Sequence, residues 1–227
     1  MNILNLNDFS KEERLKEMTA SFNNLNTNQI LVVSSNDDFF ETIDSFQSEQ
    51  DGKFFWAVLR KGPDLWKGEL LKTEENSNIQ KSLFSFMDLD HKRCDRLYAA
   101  GESLIFDNKK EEGVERIKEF IVGMLRHFLI EESLLFPAFE ENTGMVQGPT
   151  SMMRMEHEQM TGLLAQMAAA ANDNEYDSIT GVGETLVVLM QQHNVKEEGM
   201  LYPMMDQHLA SINHDLISKA MKIDYKK

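Results

Sequence analysis

Two stretches of the sequence share one pattern, His127-Phe-Leu-Ile-Glu-Glu-Ser-Leu-Leu-Phe-Pro137 and His193-Asn-Val-Lys-Glu-Glu-Gly-Met-Leu-Tyr-Pro203. Both read H-x-x-x-E-E-x-x-L-aromatic-P, and they lie 66 positions apart. Two further histidines, His91 and His157, are also 66 positions apart, and each precedes its partner histidine by 36 positions. A fixed period of this kind indicates an internal duplication of one helical pair.

Apolar residues recur at spacings of three and four through four long segments after Ile79, which predicts four amphipathic helices packed as a bundle. Asp107–Lys110, Pro137, Pro149 and Pro203 mark the predicted helix ends, and a short fifth helix is expected over about Ser211–Met221. The four apolar stripes contain, in chain order, Leu83, Met87, Cys94, Leu97, Gly101 and Leu104; Ile117, Phe120, Met124, Phe128 and Leu135; Met153, Met160, Leu164 and Met167; and Val182, Leu186, Met190 and Leu201.

The four repeated histidines lie on these stripes and not on the wet faces of the helices. Residues four apart on a helix are about 40° apart around its axis, so His127 with Glu131 presents an imidazole and a carboxylate to one point. His193 with Glu197 does the same, and His91 and His157 bring two more imidazoles to the middle of the bundle.

Buried carboxylates without a counter-charge cost several kcal/mol each, and cations remove that cost. Six nitrogen and oxygen ligands without a thiolate suit iron, manganese or zinc, and two carboxylates suit a pair of ions. The alternative interpretation is that these histidines are hydrogen-bonded core residues. Glu132 and Glu198 point about 100° away from the stripe, so they are expected in solvent or beside the ligands.

The remaining candidates have ordinary structural interpretations. His208 and His214 fall outside the repeat and are expected at the surface, while Cys94 lies on a core stripe and is expected to pack there. A single cysteine, with no secretory signal and no long apolar run, favours the reducing cytoplasm and no membrane span. The net charge of −15 repels phosphate backbones, so nucleic-acid binding is not expected.

The first 73 residues have a different pattern and predict a small α/β domain of order βαβαββ. Ser10 and Glu13 suit a capping box, followed by a helix to about Asn24, and a second helix is expected over Asp37–Glu49. The four predicted strands are Ile3–Leu6, Gln29–Val33, Phe54–Val58 and Trp66–Leu71. Three regions follow: residues 1–73, a bundle over residues 79–208, and a C-terminal helix and tail over residues 209–227, with a polar linker at Thr73–Gln80.

The doubled motif resembles the hemerythrin-like, or HHE cation-binding, family. Asp90-His91, His127–Pro137, Pro149–His157 and His193–Pro203 carry the resemblance. It implies an up-down-up-down bundle holding two iron ions (Fe²⁺/Fe³⁺) with an oxo or hydroxo bridge. It also implies that His91, His127, His157 and His193 are terminal ligands, and that Glu131 and Glu197 are bridging ligands.

One position departs from the oxygen-carrying members of that family, which have a fifth histidine one turn after the third-helix histidine. Thr161 stands there, which implies open coordination positions, with Asp88 as a weak candidate for a fifth protein ligand. Residues 1–73 resemble the sulfur-carrier-like (SirA/TusA-like) fold through Ile30–Val33 with Asn36-Asp37, Phe55-Trp56 and Gly62–Trp66. They contain no cysteine, which excludes persulfide transfer by this region.

Three functions therefore compete. The first is a protein that binds or senses O₂, NO or peroxide at a di-iron centre, with the small domain as a relay or a surface for a protein partner or a second copy. The second is a di-iron enzyme of nitrosative or oxidative stress defence, acting in iron–sulfur cluster repair or in NO or peroxide reduction. The third is a scaffold with a vestigial metal site, against which the intact motifs in both halves argue.

Overall fold

The computed structural model describes residues 2–50, 52–74 and 81–223. The chain forms two compact units, Met1–Gln80 and Lys81–Lys227, which are described separately below. Most of the predicted linker, the predicted bundle start at Ile79 and the end of the C-terminal tail lie outside the described residues. The boundaries at residues 73, 79 and 208 stay predictions. Across the described ranges, no helix combines the length and apolarity that a membrane crossing requires.

The N-terminal unit is a four-stranded sheet with two helices, and its element order confirms the predicted βαβαββ pattern. The elements are β1 Asn2–Asn5, a 3₁₀ turn at Leu6–Asp8, α1 Lys11–Asn23, β2 Ile30–Ser35, α2 Phe40–Glu49, β3 Phe54–Arg60 and β4 Trp66–Lys72. The sheet order is β1-β2-β4-β3, with β1 parallel to β2 and the other neighbouring pairs antiparallel.

The core of this unit is aromatic. Phe46 packs edge-on against Phe22 and Phe54, with ring centroids 5.1 and 5.0 Å away. Trp56 lies across Gly68 of the neighbouring strand, where a Cβ atom would come within 2.0 Å of the indole ring, so only glycine fits beneath it. Trp56 is therefore a core residue of this unit.

The helix starts in this unit follow from their capping groups. The Ser10–Glu13 capping box is confirmed, since the Glu13 carboxylate accepts the Ser10 backbone N–H at 3.1 Å. The second helix begins at Phe40 and not at the predicted Asp37. The Asp37 side chain is held by Arg14 and Ser35, and the Asp38 carboxylate accepts the Phe40 backbone N–H at 2.8 Å.

The C-terminal unit is a four-helix bundle with a fifth helix on one side, which confirms the predicted mainly α fold. The elements are α3 Leu83–Phe106, α4 Lys110–Ile130, a π turn at Glu131–Leu135, α5 Phe136–Thr143, α6 Pro149–Asp173, α7 Tyr176–Lys196, a π turn at Glu197–Leu201, α8 Tyr202–His208 and α9 Asn213–Lys222. Helices α3 and α4 form the first hairpin, and α6 and α7 form the second. The two hairpins pack together through α4 against α6 and α3 against α8.

The helices do not end at Pro137 and Pro203, which corrects the prediction. Proline has no N–H to donate to the helical ladder, and at each site the backbone widens into one π turn before the proline. The Phe136 N–H bonds to the Glu131 carbonyl and the Tyr202 N–H to the Glu197 carbonyl, five residues back in each case. The helices then continue as α5 and α8.

Helix α9 packs on the first hairpin. It begins at Asn213, two residues later than predicted. The buried guanidinium of Arg126 donates to the carbonyls of Ala220 and Ile223 at 3.0 and 2.9 Å and so holds the C-terminal end of α9. At the same open end of the hairpin, the Asp206 carboxylate accepts the Leu83 backbone N–H at 2.6 Å and caps α3.

Candidate metal centre

The structure brings all six predicted ligands together in the middle of the bundle, each of them buried: His91, His127, Glu131, His157, His193 and Glu197. Their inward-facing atoms form two overlapping groups, with all the atoms of a group within 4.8 Å of one another. One group is His91, His127 and Glu197, and the other is Glu131, His157, His193 and Glu197. Glu197 belongs to both.

The two groups are called the first position (His91 and His127) and the second position (His157 and His193). At the first position, the Nε2 atoms of the two imidazoles lie 3.1 Å apart, and Nε2 of His91 lies 3.3 Å from Oε2 of Glu197. The second position repeats this geometry. The Nε2 atoms of His157 and His193 are 3.1 Å apart, and Nε2 of His193 is 3.0 Å from Oε1 of Glu197.

Each imidazole also meets a carboxylate at its outer nitrogen. At the first position, Nδ1 of His127 is 3.0 Å from the Asp90 carboxylate, and Nδ1 of His91 is 2.8 Å from Glu198. A carboxylate at Nδ1 keeps a proton on that nitrogen and turns the Nε2 lone pair of a neutral imidazole toward the centre.

The outer carboxylates of the second position lie 66 residues from those of the first. Nδ1 of His193 is 2.8 Å from Glu156, and Nδ1 of His157 is 2.8 Å from Glu132. Glu132 and Glu198, which point away from the apolar stripes, therefore orient the ligands from outside. The sequence interpretation assigned no role to Asp90 and Glu156, although each directly precedes a repeated histidine.

The donor set fits a cation, because acceptor atoms face acceptor atoms at its middle. Oε2 of Glu131 lies 3.3 Å from Nε2 of both His127 and His157. This oxygen and Oε1 of Glu197 are buried and have no hydrogen-bond partner among the described residues. Lone pairs held this close in a buried site need a proton or a metal ion between them.

In the metal-free chain, a proton on His91 separates some of these lone pairs. Burial opposes a charged imidazole, but hydrogen bonds to Glu197 and Glu198 raise the pKa of His91 to about 10. Burial lowers the pKa of His127 to about 4, and the hydrogen bond to Asp90 offsets it only in part. One proton is thus held on His91 beside the neutral His127, where an ion bound by both imidazoles would replace it.

The pKa values of the two inner carboxylates, Glu131 and Glu197, shift in opposite directions. Burial and the nearby Glu197 carboxylate raise the pKa of Glu131 well above its ordinary value. The imidazoles of His193 and His91, with Nε2 atoms 3.0 and 3.3 Å from this carboxylate, outweigh burial and hold the pKa of Glu197 well below its ordinary value. The pair therefore keeps one negative charge without metal and accommodates two when cations are bound.

The surroundings of the two positions differ. Behind His127, the fully buried Asp90 lies 2.8 Å from Nε of Arg93 and 3.5 Å from Nη1 of Arg126. Arg93 reaches across Gly123, where a Cβ atom would come within 2.7 Å of the guanidinium. These charges outweigh the effect of burial and lower the pKa of Asp90.

Behind His193, the corresponding carboxylate is Glu156, which is 23 % exposed and forms an ion pair with Lys196. Gln159 and Gln192 stand where the first half has Arg93 and Arg126. Both glutamines line a cavity of about 150 Å³ beside Glu156 and Lys196. The His127 side of the first position is therefore closed by buried charges, and the His193 side of the second adjoins a solvent-accessible cavity.

Tyr202 is the site residue that the sequence interpretation missed. Its hydroxyl oxygen lies 2.9 Å from Oε1 of Glu131, 2.9 Å from Oε2 of Glu197 and 3.4 Å from Nε2 of His91. In an α-helix, a residue five positions after Glu197 would point about 140° away from it, and the π turn brings it to the same side. The shared L-aromatic-P ending of the two motifs was the available signal.

The other candidates lie away from the centre. Asp88 forms an ion pair with Lys92 at 2.7 Å, and Thr161 is exposed on α6. His208 is exposed and contacts the Phe139 ring edge-on, with centroids 6.0 Å apart. Cys94 is buried, and burial raises the pKa of its thiol to about 12, which agrees with a packing role.

A helical bundle with buried histidines and carboxylates at its middle defines a metal-binding domain. Residues 82–205 match the family model described as the hemerythrin HHE cation binding domain. Because this match covers more than half of the chain, the protein belongs to the hemerythrin HHE family. No curated protein and no solved structure matches the chain.

Proposed function

We propose that this chain is a non-haem di-iron protein that binds or senses O₂, NO or peroxide at the centre between the two hairpins. The observation that carries the proposal is the pair of overlapping ligand groups that share Glu197. A single ion would use one group and leave buried lone pairs of the other opposed, whereas two ions use both.

The proposed ligands are the four Nε2 atoms of His91, His127, His157 and His193, with Glu131 and Glu197 bridging. Imidazole and carboxylate donors without a thiolate suit iron, and membership of the hemerythrin HHE family favours iron over zinc or manganese. When bound, a pair of non-haem iron ions supplies open coordination positions and one-electron redox changes. The outer carboxylates orient the four imidazoles for this task.

The residues around the second position favour a small exogenous molecule. Phe128 stacks on the His157 ring with centroids 4.2 Å apart, and Phe136 stacks on it at 5.8 Å. Two phenyl rings give this side of the centre an apolar lining that suits O₂ and NO. The threonine at position 161 is exposed, and this favours an open coordination position over a protein ligand there.

Metal analysis with anaerobic and aerobic absorption spectra tests the proposal. The purified full-length chain should hold two irons, and its visible absorption should change when O₂, NO or peroxide is added. His127→Ala should lose iron, while His208→Ala, a histidine outside the centre, should keep it. Two irons without any spectral response to these molecules would refute binding and sensing.

The same samples discriminate the enzymatic alternative. Consumption of NO or peroxide well beyond one equivalent of protein, with recovery of the starting spectrum, would favour turnover over sensing. Restoration of a damaged iron–sulfur protein would favour repair. Binding that stops at one equivalent supports the sensing proposal.

A further inference from the structure

The hydroxyl oxygen of Tyr202 lies among the ligand atoms of the first position. It forms a triangle with Oε2 of Glu197 and Nε2 of His91, with sides of 2.9, 3.3 and 3.4 Å. Adjacent donors around an octahedral ion with bonds of about 2.1 Å lie about 3 Å apart. The three atoms thus have the spacing of neighbouring donors to one ion.

The phenol has no equivalent at the second position. The residue 66 positions before Tyr202 is Phe136, which begins α5 after the first π turn just as Tyr202 begins α8 after the second. Phe136 is fully buried and stacks on His157, but its ring offers no donor atom. The duplication therefore places an oxygen beside one pair of imidazoles and a phenyl ring beside the other.

We infer that Tyr202 supplies its hydroxyl oxygen to the ion at the first position, so that an exogenous molecule binds at the second. This inference rests on the proposed function for the identity of the exogenous molecule, but the contact between Tyr202 and the first ion does not depend on it. Tyr202 is then both a metal-binding residue and the group that makes the two positions unequal.

The surroundings of the second position agree with this division. The Glu156–Lys196 ion pair and the cavity of about 150 Å³ lie behind His193, whereas Asp90 closes the first position behind His127. A small molecule has space near the second position and meets buried ion pairs behind the first.

Tyr202→Phe tests the contact because it removes one oxygen and keeps the ring. The matched control is Tyr98→Phe, which removes another phenol of the bundle that donates to Glu102 at 3.0 Å, away from the centre. We expect Co²⁺ titration of the metal-free full chain to show one of two binding steps weakened about tenfold or more in Tyr202→Phe. Tyr98→Phe should match the parent chain. Two unchanged steps in Tyr202→Phe would overturn the inference.

Single-position backgrounds locate the effect. His157→Ala removes a ligand of the second position and His91→Ala a ligand of the first. Adding Tyr202→Phe should weaken Co²⁺ binding in the His157→Ala chain and leave it within about twofold in the His91→Ala chain. Equal weakening in both backgrounds would mean that the hydroxyl acts only by holding the shared carboxylates, which contradicts the inference. If the His157→Ala or the His91→Ala chain fails to bind Co²⁺, the titration of Tyr202→Phe with all six proposed ligands present decides whether the hydroxyl contributes.

Azide binding to the oxidised iron-loaded chain tests where the exogenous molecule binds. Phe136→Tyr adds a phenol beside His157 at the place duplicated from Tyr202, and Phe139→Tyr adds one beside His208, away from the centre. Phe136→Tyr should weaken azide binding about tenfold or more, while Phe139→Tyr should not. The reverse pattern, or no effect of either, would place the azide elsewhere and overturn this part.

The proposed function and the contact between Tyr202 and the first ion can fail separately. If the iron-loaded parent chain responds to none of O₂, NO, peroxide and azide, the proposed function fails and so does the assignment of an exogenous molecule to the second position. The Co²⁺ titrations still decide whether Tyr202 contacts the first ion.

Discussion

The Asp90 carboxylate lies 3.0 Å from Nδ1 of His127, so a residue of α3 sets the tautomer of an imidazole on α4. Asp90 is fully buried and is held in turn by Arg93 on its own helix. A single carboxylate thus joins the metal ligands to the charged interior of the first hairpin. Substitution of Asp90 should therefore affect both metal binding and stability.

Asp90→Asn should weaken metal binding about 10- to 100-fold, because the orientation of His127 is lost. It should also lower the free energy of unfolding by about 3–5 kcal/mol, since Arg93 and Arg126 lose their buried counter-charge. Asp88→Asn, which breaks a surface pair with Lys92, should change stability by less than about 1 kcal/mol. Metal titration and urea unfolding measure both effects. Equal stability of the two variants would contradict the role assigned to Asp90.

Glu131→Gln should separate metal binding from the stability of the metal-free chain. The substitution removes one of two buried carboxylates that repel each other, so the metal-free chain should be as stable as the parent or more stable, by about 1 kcal/mol. The increase in Tm on adding metal should vanish, because a proposed bridging ligand is lost. Glu141→Gln, at an exposed position, is the control and should retain the metal-dependent increase. Thermal unfolding with and without iron measures both effects. A metal-dependent increase in Tm that persists in Glu131→Gln would contradict the role proposed for Glu131.

Arg126→Gln replaces a buried arginine with the residue that stands at the duplicated position, Gln192. We expect the free energy of unfolding to fall by about 3 kcal/mol, because Asp90 loses charge compensation. The amides of α9 should exchange faster, because the guanidinium no longer holds the carbonyls of Ala220 and Ile223. Lys118→Gln, at an exposed ion pair with Glu115, is the control. Hydrogen exchange that remained slow in α9 would argue against this contact as its anchor.

Asp37→Asn should change the acid stability of the N-terminal unit alone. Hydrogen bonds from Arg14 and Ser35 lower the pKa of Asp37 from 3.8 to about 2. A lowered pKa in the folded state contributes stability above pH 3.8, and this contribution is lost as the pH falls through about 2. The carboxylate is 43 % exposed, so solvent screening reduces the contribution to about 1 kcal/mol.

Tryptophan fluorescence measures this effect selectively, because Trp56 and Trp66 are the two tryptophans of the chain and both lie in the N-terminal unit. Urea unfolding between pH 2 and pH 7 should show the loss in the parent chain and not in Asp37→Asn. Glu12→Gln, on the exposed first turn of α1, should behave like the parent. A parallel acid loss in Asp37→Asn would assign the effect to other carboxylates.

Sequence periodicity was sufficient to predict the bundle and to select the six residues that meet at its middle. It worked because His127 and Glu131, like His193 and Glu197, are four residues apart in regular α-helix up to the start of each π turn. It failed at Pro137 and Pro203, because a widened turn lets a helix continue through a proline.

Asp90, Glu156 and Tyr202 were beyond the reach of helical periodicity, whereas Glu132 and Glu198 do lie beside the ligands, one of the two places expected for them. Asp90 and Glu156 lie about 100° from the stripe that carries their neighbouring histidines, and a rule based on one helical face does not select them. Their role depends on which helix packs beside them, since each bonds to a histidine on the next helix of its hairpin. In the N-terminal unit, the start of α2 likewise depended on a contact with Arg14.

The hydrogen bonds at the outer nitrogens of His91 and His157 are related by the symmetry of the two hairpins. His91 of the first hairpin bonds to Glu198 of the second, and His157 of the second bonds to Glu132 of the first. Such a reciprocal exchange is what two copies of one hairpin make across a two-fold axis. In a dimer of identical hairpins, any change at one metal position would be copied at the other. Joining the copies in one chain removes that constraint, so a phenol can stand at residue 202 while its counterpart at residue 136 remains a phenyl ring.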